Sequence, residues 1–280
     1  MAAYHRTPFT PDIIDNNVRM LTNKLNVPLI EMDISIERHK AFTKKMITRW
    51  IEKGDKIFAN IACAPCKEHN HEIYKIAKKN SIPTIVFGGN KLENVQFSAG
   101  QSKKIKVEKS KEYNSWQKFK IMTIVAMRGV SVLIRQPTLV LDLPILFKAS
   151  ILYLGNRTLY LRMRYSKIKM FDYYFLAEYN ESAVIKFLSD IGWKIPANCN
   201  STWRADCSFN EIKNYIFKKE MGATYTDAFL SNSIRAGLIS REEAIKRAKT
   251  EGEISPNRID EVCKLLGIPS KVFTKKLKLI

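Results

Sequence analysis

A short apolar run that stops at two glycines constrains the fold of this chain more than any other feature. Residues 82–87 read Ile-Pro-Thr-Ile-Val-Phe and lead directly into Gly88, Gly89 and Asn90. A short apolar run bounded by turn residues is typical of a buried strand. In an open α/β sheet the ligand binds outside the carboxyl ends of the strands, and a glycine backbone can approach that ligand closely. The run therefore predicts a strand that ends at a ligand site.

Helices alternate with strands in the first 90 residues. Apolar residues recur at helical spacing in residues 11–25 and 35–53, and Val27–Ile34 is predicted to be a strand between them. A third helix is predicted at Glu68–Lys79, just before the strand that ends in glycines. Alternation of this kind is typical of parallel strands in an α/β layer. We therefore predict an α/β domain over residues 1–110.

The remainder, residues 111–280, is predicted to be mainly helical. Residues 98–115 are polar and rich in lysine, which indicates a loop between the two regions. Helical spacing and stop signals divide the last hundred residues into short helices. Their predicted bounds are Asn210–Glu220, Thr226–Arg235, Arg241–Lys249, Pro256–Leu266 and Ser270–Lys278. Ser240 and Glu243 predict a reciprocal capping box at the third of these helices.

The most apolar stretch of the chain, Leu139–Leu154, is interrupted by Asp142, Pro144 and Lys148. It is too short and too interrupted to span a bilayer, so a buried helical or strand segment is predicted and no transmembrane segment is expected. The start of the sequence lacks the basic and apolar regions of a signal peptide. Five cysteines without a regular framework fit reduced thiols. These observations favour the cytoplasm.

Two cysteines separated by two residues, Cys63 and Cys66, form a Cys-Ala-Pro-Cys motif that we call the cysteine knuckle. Such a pair can bind zinc, hold an iron–sulfur cluster or act as a redox couple. Because structural zinc sites take four ligands, further side chains are needed, and Cys207 is the predicted third metal ligand. The other candidates are Cys199, His69 and His71. A pair of buried, inert thiols is the competing interpretation.

The formal net charge of +20 indicates an anionic partner. Nucleic acid, a nucleotide, a phosphorylated sugar and a membrane surface all fit this charge. The lysines are spread along the chain, however, and a solvated basic surface explains them equally well. The charge alone therefore does not select one partner.

Four motifs follow one another in the C-terminal third. They are Gly192-Trp193-Lys194-Ile195-Pro196, then Asp206-Cys207, then Lys218-Lys219-Glu220-Met221-Gly222, and then a run from Leu230 to Ala244 that reads Leu-Ser-Asn-Ser-Ile-Arg-Ala-Gly-Leu-Ile-Ser-Arg-Glu-Glu-Ala. Their order resembles the C-terminal region of the N-acetyl sugar amidotransferases. That family belongs to the PP-loop ATP pyrophosphatase superfamily and acts in surface-polysaccharide synthesis. The resemblance covers most of the chain and is most specific between residues 230 and 244.

The resemblance implies a Rossmann-like adenine-nucleotide α-hydrolase sheet followed by a helical extension. Such enzymes use ATP and Mg²⁺ to adenylate a substrate oxygen, release pyrophosphate and let ammonia displace AMP. The implied partners are an anionic sugar substrate and a glutaminase subunit that supplies ammonia. Gly88, Gly89 and Asn90 match a ligand-side loop of that fold and form the predicted nucleotide edge, with a plain turn as the alternative. Glu93 is predicted to orient Mg²⁺ or ammonia, with a solvent-exposed carboxylate at a helix start as the alternative.

One signature of the superfamily, a Ser-Gly-Gly-x-Asp-Ser phosphate loop, is not found in the sequence. The chain is therefore expected to be a fragment, one half of a split enzyme, or a member that binds ATP without hydrolysing it. Two further functions remain open. One is a PP-loop protein of tRNA thiolation, with RNA as its partner and zinc or an iron–sulfur cluster on Cys63 and Cys66. The other is a non-catalytic binding subunit.

Overall fold

The computed structural model describes residues 1–93, 137–154, 164–196 and 203–271, together with the single residues 116, 123, 127, 134, 161, 199 and 201. Within these residues the fold is mixed α/β, with short parallel sheets and a helical C-terminal region. This confirms the predicted fold class. The predicted loop at 98–115 and most of the helix predicted at Ser270–Lys278 lie outside the described residues, and the domain boundary at residue 110 stays a prediction.

The first sheet pairs two strands from the N-terminal region. Strand β1 (Ala2–Tyr4) runs parallel to β2 (Leu29–Glu31), with Ala2 opposite Leu29. Helix α1 (Asp12–Lys24) connects them. The helix predicted at residues 11–25 and the strand predicted at Val27–Ile34 are therefore both present. Strand β2 is shorter than its predicted range.

The second sheet joins the two halves of the chain. Strand β3 (Thr84–Phe87) is the predicted strand that ends in glycines, and it pairs in parallel with β4 (Lys169–Asp172). Thr84 lies opposite Lys169 and Phe87 opposite Asp172. Sequence reasoning missed β4, because four residues with alternating exposure carry too weak a pattern to separate them from the apolar segment before them.

Three helices of the N-terminal region lie before and after the cysteine knuckle in the sequence. Helix α2 (Ile36–Lys53) begins where Ser35 Oγ accepts a hydrogen bond of 3.2 Å from the amide of Arg38, and it ends at Gly54, whose φ of 71° suits glycine. The next two helices are α3 (Lys56–Ile61), which was not predicted, and α4 (Glu68–Lys79), which has the predicted bounds. A 3₁₀ turn, Ala64–Lys67, connects α3 to α4.

Short helices form most of the described C-terminal half. They are α5 (Leu143–Leu154), α6 (Glu181–Asp190), α7 (Phe209–Met221), α8 (Tyr225–Arg235), α9 (Arg241–Glu251) and α10 (Pro256–Leu266). The 3₁₀ turns Lys91–Glu93, Pro137–Asp142 and Tyr173–Phe175 complete the described elements. Four of the five predicted helices are found within two residues of their predicted bounds, whereas α6 was missed.

The predicted capping box at the start of α9 is incomplete, and a complete one is found at the start of α8. Ser240 Oγ accepts a hydrogen bond of 3.1 Å from the amide of Glu243, as predicted, but α9 lacks the return bond of a capping box. A complete box is found one helix earlier, where Thr224 and Asp227 exchange hydrogen bonds of 3.0 and 2.7 Å. Each such cap contributes about 1 kcal/mol to the stability of its helix.

The apolar stretch Leu139–Leu154 is helical but only partly buried. Leu139 is fully buried, whereas Leu141 is 83% and Phe147 69% exposed. The prediction of a buried segment is therefore wrong for these two side chains, because this stretch presents its apolar residues on more than one face. No helix among the described residues has the length and apolar character needed to cross a membrane.

The largest core joins α2 to the C-terminal helices. Trp50 of α2, Ile212 of α7 and Val262 of α10 are all fully buried in this cluster. Cys263 of α10 is 1% exposed there. Two smaller clusters lie around Tyr74 and Ile85 and around Leu92 and Phe229. The N-terminal and C-terminal regions therefore share one hydrophobic core.

We expect the Trp50→Ala substitution to lower the free energy of unfolding by about 3–5 kcal/mol, because it removes a fully buried indole from the shared core. The control is Phe187→Ala, whose ring is 52% exposed, and it should change stability by less than about 0.5 kcal/mol. Urea unfolding followed by far-UV circular dichroism measures both values. Equal effects of the two substitutions would contradict the shared core.

Candidate functional site

The residues at the end of β3, Gly88–Glu93, form a tight segment that we call the strand-end loop. A methyl carbon added at Gly89 would overlap Asp172 Oδ1 of β4 and lie 2.8 Å from its Cγ, whereas at Gly88 it would meet no atom within 4 Å. Asn90 is 7% exposed, and its Oδ1 accepts a hydrogen bond of 3.0 Å from the amide of Leu92. Glycine at 89 therefore lets the loop pass close to the neighbouring strand.

The strand-end loop is docked onto the C-terminal helices. Leu92 packs in a buried cluster with Phe229 and Leu230 of α8, and Asn232 Nδ2 donates a hydrogen bond of 2.7 Å to its carbonyl oxygen. Glu93 forms an ion pair of 3.4 Å with Arg204. The predicted nucleotide-edge residues therefore lie at the junction between β3 and the C-terminal region, and the Glu93 carboxylate faces a guanidinium.

The cysteine knuckle forms the turn before α4. The amide of Cys66 donates a hydrogen bond of 3.1 Å to the carbonyl of Cys63, and both side chains are half-buried. A hydrogen bond between the two thiols lowers the pKa of Cys63 and raises that of Cys66. The charges of Lys213, Lys67 and Arg204 lower the pKa of Cys63 further. Cys63 is thus the more acidic thiol of the pair.

Cys207, the predicted third metal ligand, lies near this pair. Its charge interacts with that of Cys63, and burial raises the pKa of its thiol to about 12. Among the described residues, however, no group of three or more His, Cys, Asp or Glu side chains is arranged to hold a metal ion. The structure brings the three predicted thiols into one neighbourhood, and their role as metal ligands stays a prediction.

Three of the four histidines form a cluster beside the knuckle, and we call His5, His39 and His69 the histidine cluster. The rings of His39 and His69 lie 6.3 and 6.1 Å from the ring of His5. His39 Nε2 lies 3.5 Å from Cys66 Sγ, and His69 Nδ1 hydrogen-bonds the carbonyl of Cys66. Of the two histidines predicted as candidate metal ligands, His69 contacts the backbone of the knuckle with its side chain, whereas His71 packs against Tyr165.

Sequence reasoning missed both His5 and His39, and His39 is the one that contacts a thiol of the knuckle. It lies in α2, far from Cys66 in sequence, and only its place on the apolar side of that helix could have indicated that it faces the interior. His39 is 2% exposed, and burial followed by repulsion from His5 lowers its pKa to about 4. Its Nδ1 atom has no hydrogen-bond partner among the described residues.

Comparison with known protein families gave a match for the C-terminal third of the chain. Residues 181–279 match the family model described as the C-terminal domain of WbpG-like LPS biosynthesis proteins. The match contains α6 to α10, and therefore the helix onto which the strand-end loop docks. It supports a protein of polysaccharide biosynthesis. Searches of curated proteins and of solved structures gave no match.

The two glycines of the strand-end loop should respond differently to the same change. We expect Gly89→Ala to lower the free energy of unfolding by about 1–3 kcal/mol, because the new methyl group overlaps Asp172. Gly88→Ala is the matched control and should change stability by less than about 0.5 kcal/mol. Urea unfolding measures both, and a tolerated Gly89→Ala would show that the Asp172 side chain can move away from the loop.

The histidine cluster should make the fold sensitive to acid. The pKa of His39 is about 4 in the folded protein and about 6.5 in an unfolded chain, so only the unfolded form binds a proton between these values. The free energy of unfolding should therefore fall as the pH decreases from about 6.5 to 4, by up to about 1.4 kcal/mol per pH unit for this residue.

The His39→Gln substitution tests this expectation, because glutamine stays neutral over the whole range. The free energy of unfolding of His39→Gln should decrease less steeply between pH 7 and pH 5 than that of the natural chain. Urea unfolding at several pH values gives both slopes. Identical slopes would mean that His39 does not titrate with a lowered pKa.

Proposed function

We propose that the chain is an ATP-dependent amidotransferase-type protein, or a large part of one, that aminates an N-acetyl sugar in surface-polysaccharide synthesis. The observation that carries this proposal is the WbpG-like match at residues 181–279. The docking of the strand-end loop onto that matched region supports it, because Leu92 and Asn232 bring the predicted nucleotide edge against the domain. ATP is the proposed co-substrate.

The proposed chemistry exchanges one oxygen of the sugar for nitrogen. The acetamido oxygen attacks the α-phosphorus of ATP, and pyrophosphate leaves. Ammonia then adds to the activated carbon, and AMP leaves with the former acetamido oxygen. Mg²⁺ would supply charge stabilisation on the phosphates. In this scheme Gly88 and Gly89 let the backbone approach the nucleotide, and Glu93, held by Arg204, orients the metal ion or ammonia.

An isotope experiment tests this proposal directly. An N-acetyl sugar labelled with ¹⁸O in its acetamido group is incubated with ATP, Mg²⁺, ammonia and the protein, alone and in an extract of its source organism, which can supply a phosphate-loop partner. The label should appear in AMP, and ¹⁵N from labelled ammonia should appear in the sugar. Mass spectrometry detects both transfers. AMP without ¹⁸O in both settings would refute the amidotransferase function.

A pair of glutamate variants tests the role of the strand-end loop in the same assay. Glu93→Gln should lower the rate of pyrophosphate release by at least about tenfold, because the carboxylate charge is lost beside the reacting groups. Glu37→Gln, on an exposed position of α2, is the matched control and should keep the natural rate. Equal rates for the two variants would exclude a catalytic role for Glu93.

The alternative function is tRNA thiolation at the cysteine knuckle. It is favoured by the lowered pKa of Cys63 and by the positive charges of Lys67, Lys213 and Arg204 near its thiol. A thiolate of this kind is the form that binds metal or carries sulfur. Iron–sulfur absorbance after anaerobic purification, together with RNA binding that weakens steeply with salt, would favour this function. Binding of ATP without either reaction would indicate the non-catalytic subunit.

A further inference from the structure

A group of exposed apolar side chains lies on α5 and on the 3₁₀ turn that precedes it. We call this group the apolar patch, and its members are Val140, Leu141, Leu143, Pro144 and Phe147. Leu143 and Phe147 are four residues apart, so they lie on the same face of the helix. Single exposed apolar side chains are ordinary, whereas a concentration of them within one short segment indicates an interaction surface.

The opposite face of α5 already packs in the core. Ile145, Leu146 and the buried Ala149 belong to the cluster that α2 shares with α7 and α10, and Leu139 of the preceding turn is fully buried in the same cluster. The apolar patch is therefore not the inner face of an undocked helix. A helix that is apolar on all sides is normally covered on all sides. The described residues leave the patch exposed, so it can accept a further partner.

The charges around the apolar patch are almost all positive. Between residues 113 and 171 the sequence contains ten lysines and arginines and one acidic residue, Asp142. Asp142 is buried, and its two carboxylate oxygens lie 3.0 Å from Arg49 Nε and 2.5 Å from Lys53 Nζ. Lys148, next to Phe147 in the sequence, is exposed. The only acidic side chain of this part of the sequence is thus already neutralised.

The combination of apolar side chains and positive charge distinguishes between partners. Nucleic acid would pair its phosphates with the lysines, but it gains little from aliphatic side chains such as Val140 and Leu141, because bases bind by stacking and hydrogen bonding. A second copy of the chain would cover the apolar side chains, but it brings the same net charge of +20 and is repelled. An anionic bilayer suits both features, since it offers acyl chains and phosphates together.

We propose that the apolar patch docks the protein onto an anionic membrane surface. Leu141 and Phe147 enter the boundary between the headgroups and the acyl chains. The aliphatic part of Lys148 lies along the patch, and its ammonium group contacts lipid phosphates. Helix α5 lies along the membrane surface and keeps its inner face in the shared core. The proposal is independent of the proposed function, because it involves neither the strand-end loop nor ATP.

Cosedimentation of the 280-residue chain with lipid vesicles tests this proposal. One set of vesicles consists of phosphatidylcholine alone, and the other contains about one quarter phosphatidylglycerol, which is anionic. The natural chain should bind the anionic vesicles at least about tenfold more tightly than the neutral ones, because its basic side chains attract the headgroups. Added salt should weaken this binding, since it screens exposed charges.

A double substitution separates the contribution of the apolar patch from that of the net charge. Leu141→Ser combined with Phe147→Ser removes two exposed apolar side chains and no charge, and it should weaken binding to anionic vesicles at least about tenfold. The matched control combines Leu176→Ser with Phe187→Ser, which removes the same two residue types from exposed positions outside the patch. This control should bind like the natural chain.

A single charge change gives a second measurement that does not depend on the double substitution. Lys148→Gln removes the positive charge beside the patch and should weaken binding to anionic vesicles about fivefold. Lys218→Gln, on an exposed position of α7, is its matched control and should have a smaller effect. Thermal unfolding verifies that each variant is folded, and Lys148→Gln decides the matter if the double variant is not.

Four results would overturn the proposal. The first is binding to neither kind of vesicle or equal binding to both, and the second is natural affinity in the folded double variant. The third is a dimer in light scattering that the double substitution converts to a monomer, which would mean that a second copy covers the patch. The fourth is binding of tRNA, without binding of vesicles, that the double substitution abolishes, which would assign the patch to nucleic acid.

Discussion

Burial of the apolar face of α2 against α7 and α10 is the constraint on which the rest of the structure depends. Trp50 is at the centre of this contact, and nothing of its indole reaches solvent. The same helix carries His39, so the packing that buries Trp50 also fixes an imidazole beside Cys66. Because a fully buried aromatic side chain contributes several kcal/mol, this contact outweighs any one exposed ion pair around it. The packing of α2 in the core therefore determines the position of His39 in the candidate site.

Much of the fold could be predicted, because its helices carry strong local signals. The apolar spacing of α2 and α4 and the stop signals of α8 to α10 lie within each segment, and no distant residue is needed to interpret them. Strand β4 is different, since its four residues become a strand only by pairing with β3. The exposed apolar side chains Leu141 and Phe147 also could not be predicted, because hydropathy does not indicate which face of a helix finds a neighbour.

The candidate site was predictable only where its residues are neighbours in sequence. Cys63 and Cys66 are two residues apart, and the glycines follow their strand directly, so each signal is local. His39 reaches Cys66 from another helix, so no pattern close to the cysteines in sequence indicates it. The net charge does not locate the site either, because a sum over the chain says nothing about one place on its surface.

The parallel pairing of β3 with β4 has a consequence for the order of folding. This sheet cannot form until Lys169 has been synthesised and can pair with Thr84. The carbonyl of Leu92 likewise lacks its hydrogen bond until Asn232 has been synthesised. Contacts between such distant residues form slowly, because a long loop has to close first. During synthesis, the glycines at 88 and 89 therefore leave the ribosome long before their surroundings exist. The strand-end loop takes its final shape only when α8 has been made, so a chain that ends before α8 would lack the contacts that hold Leu92.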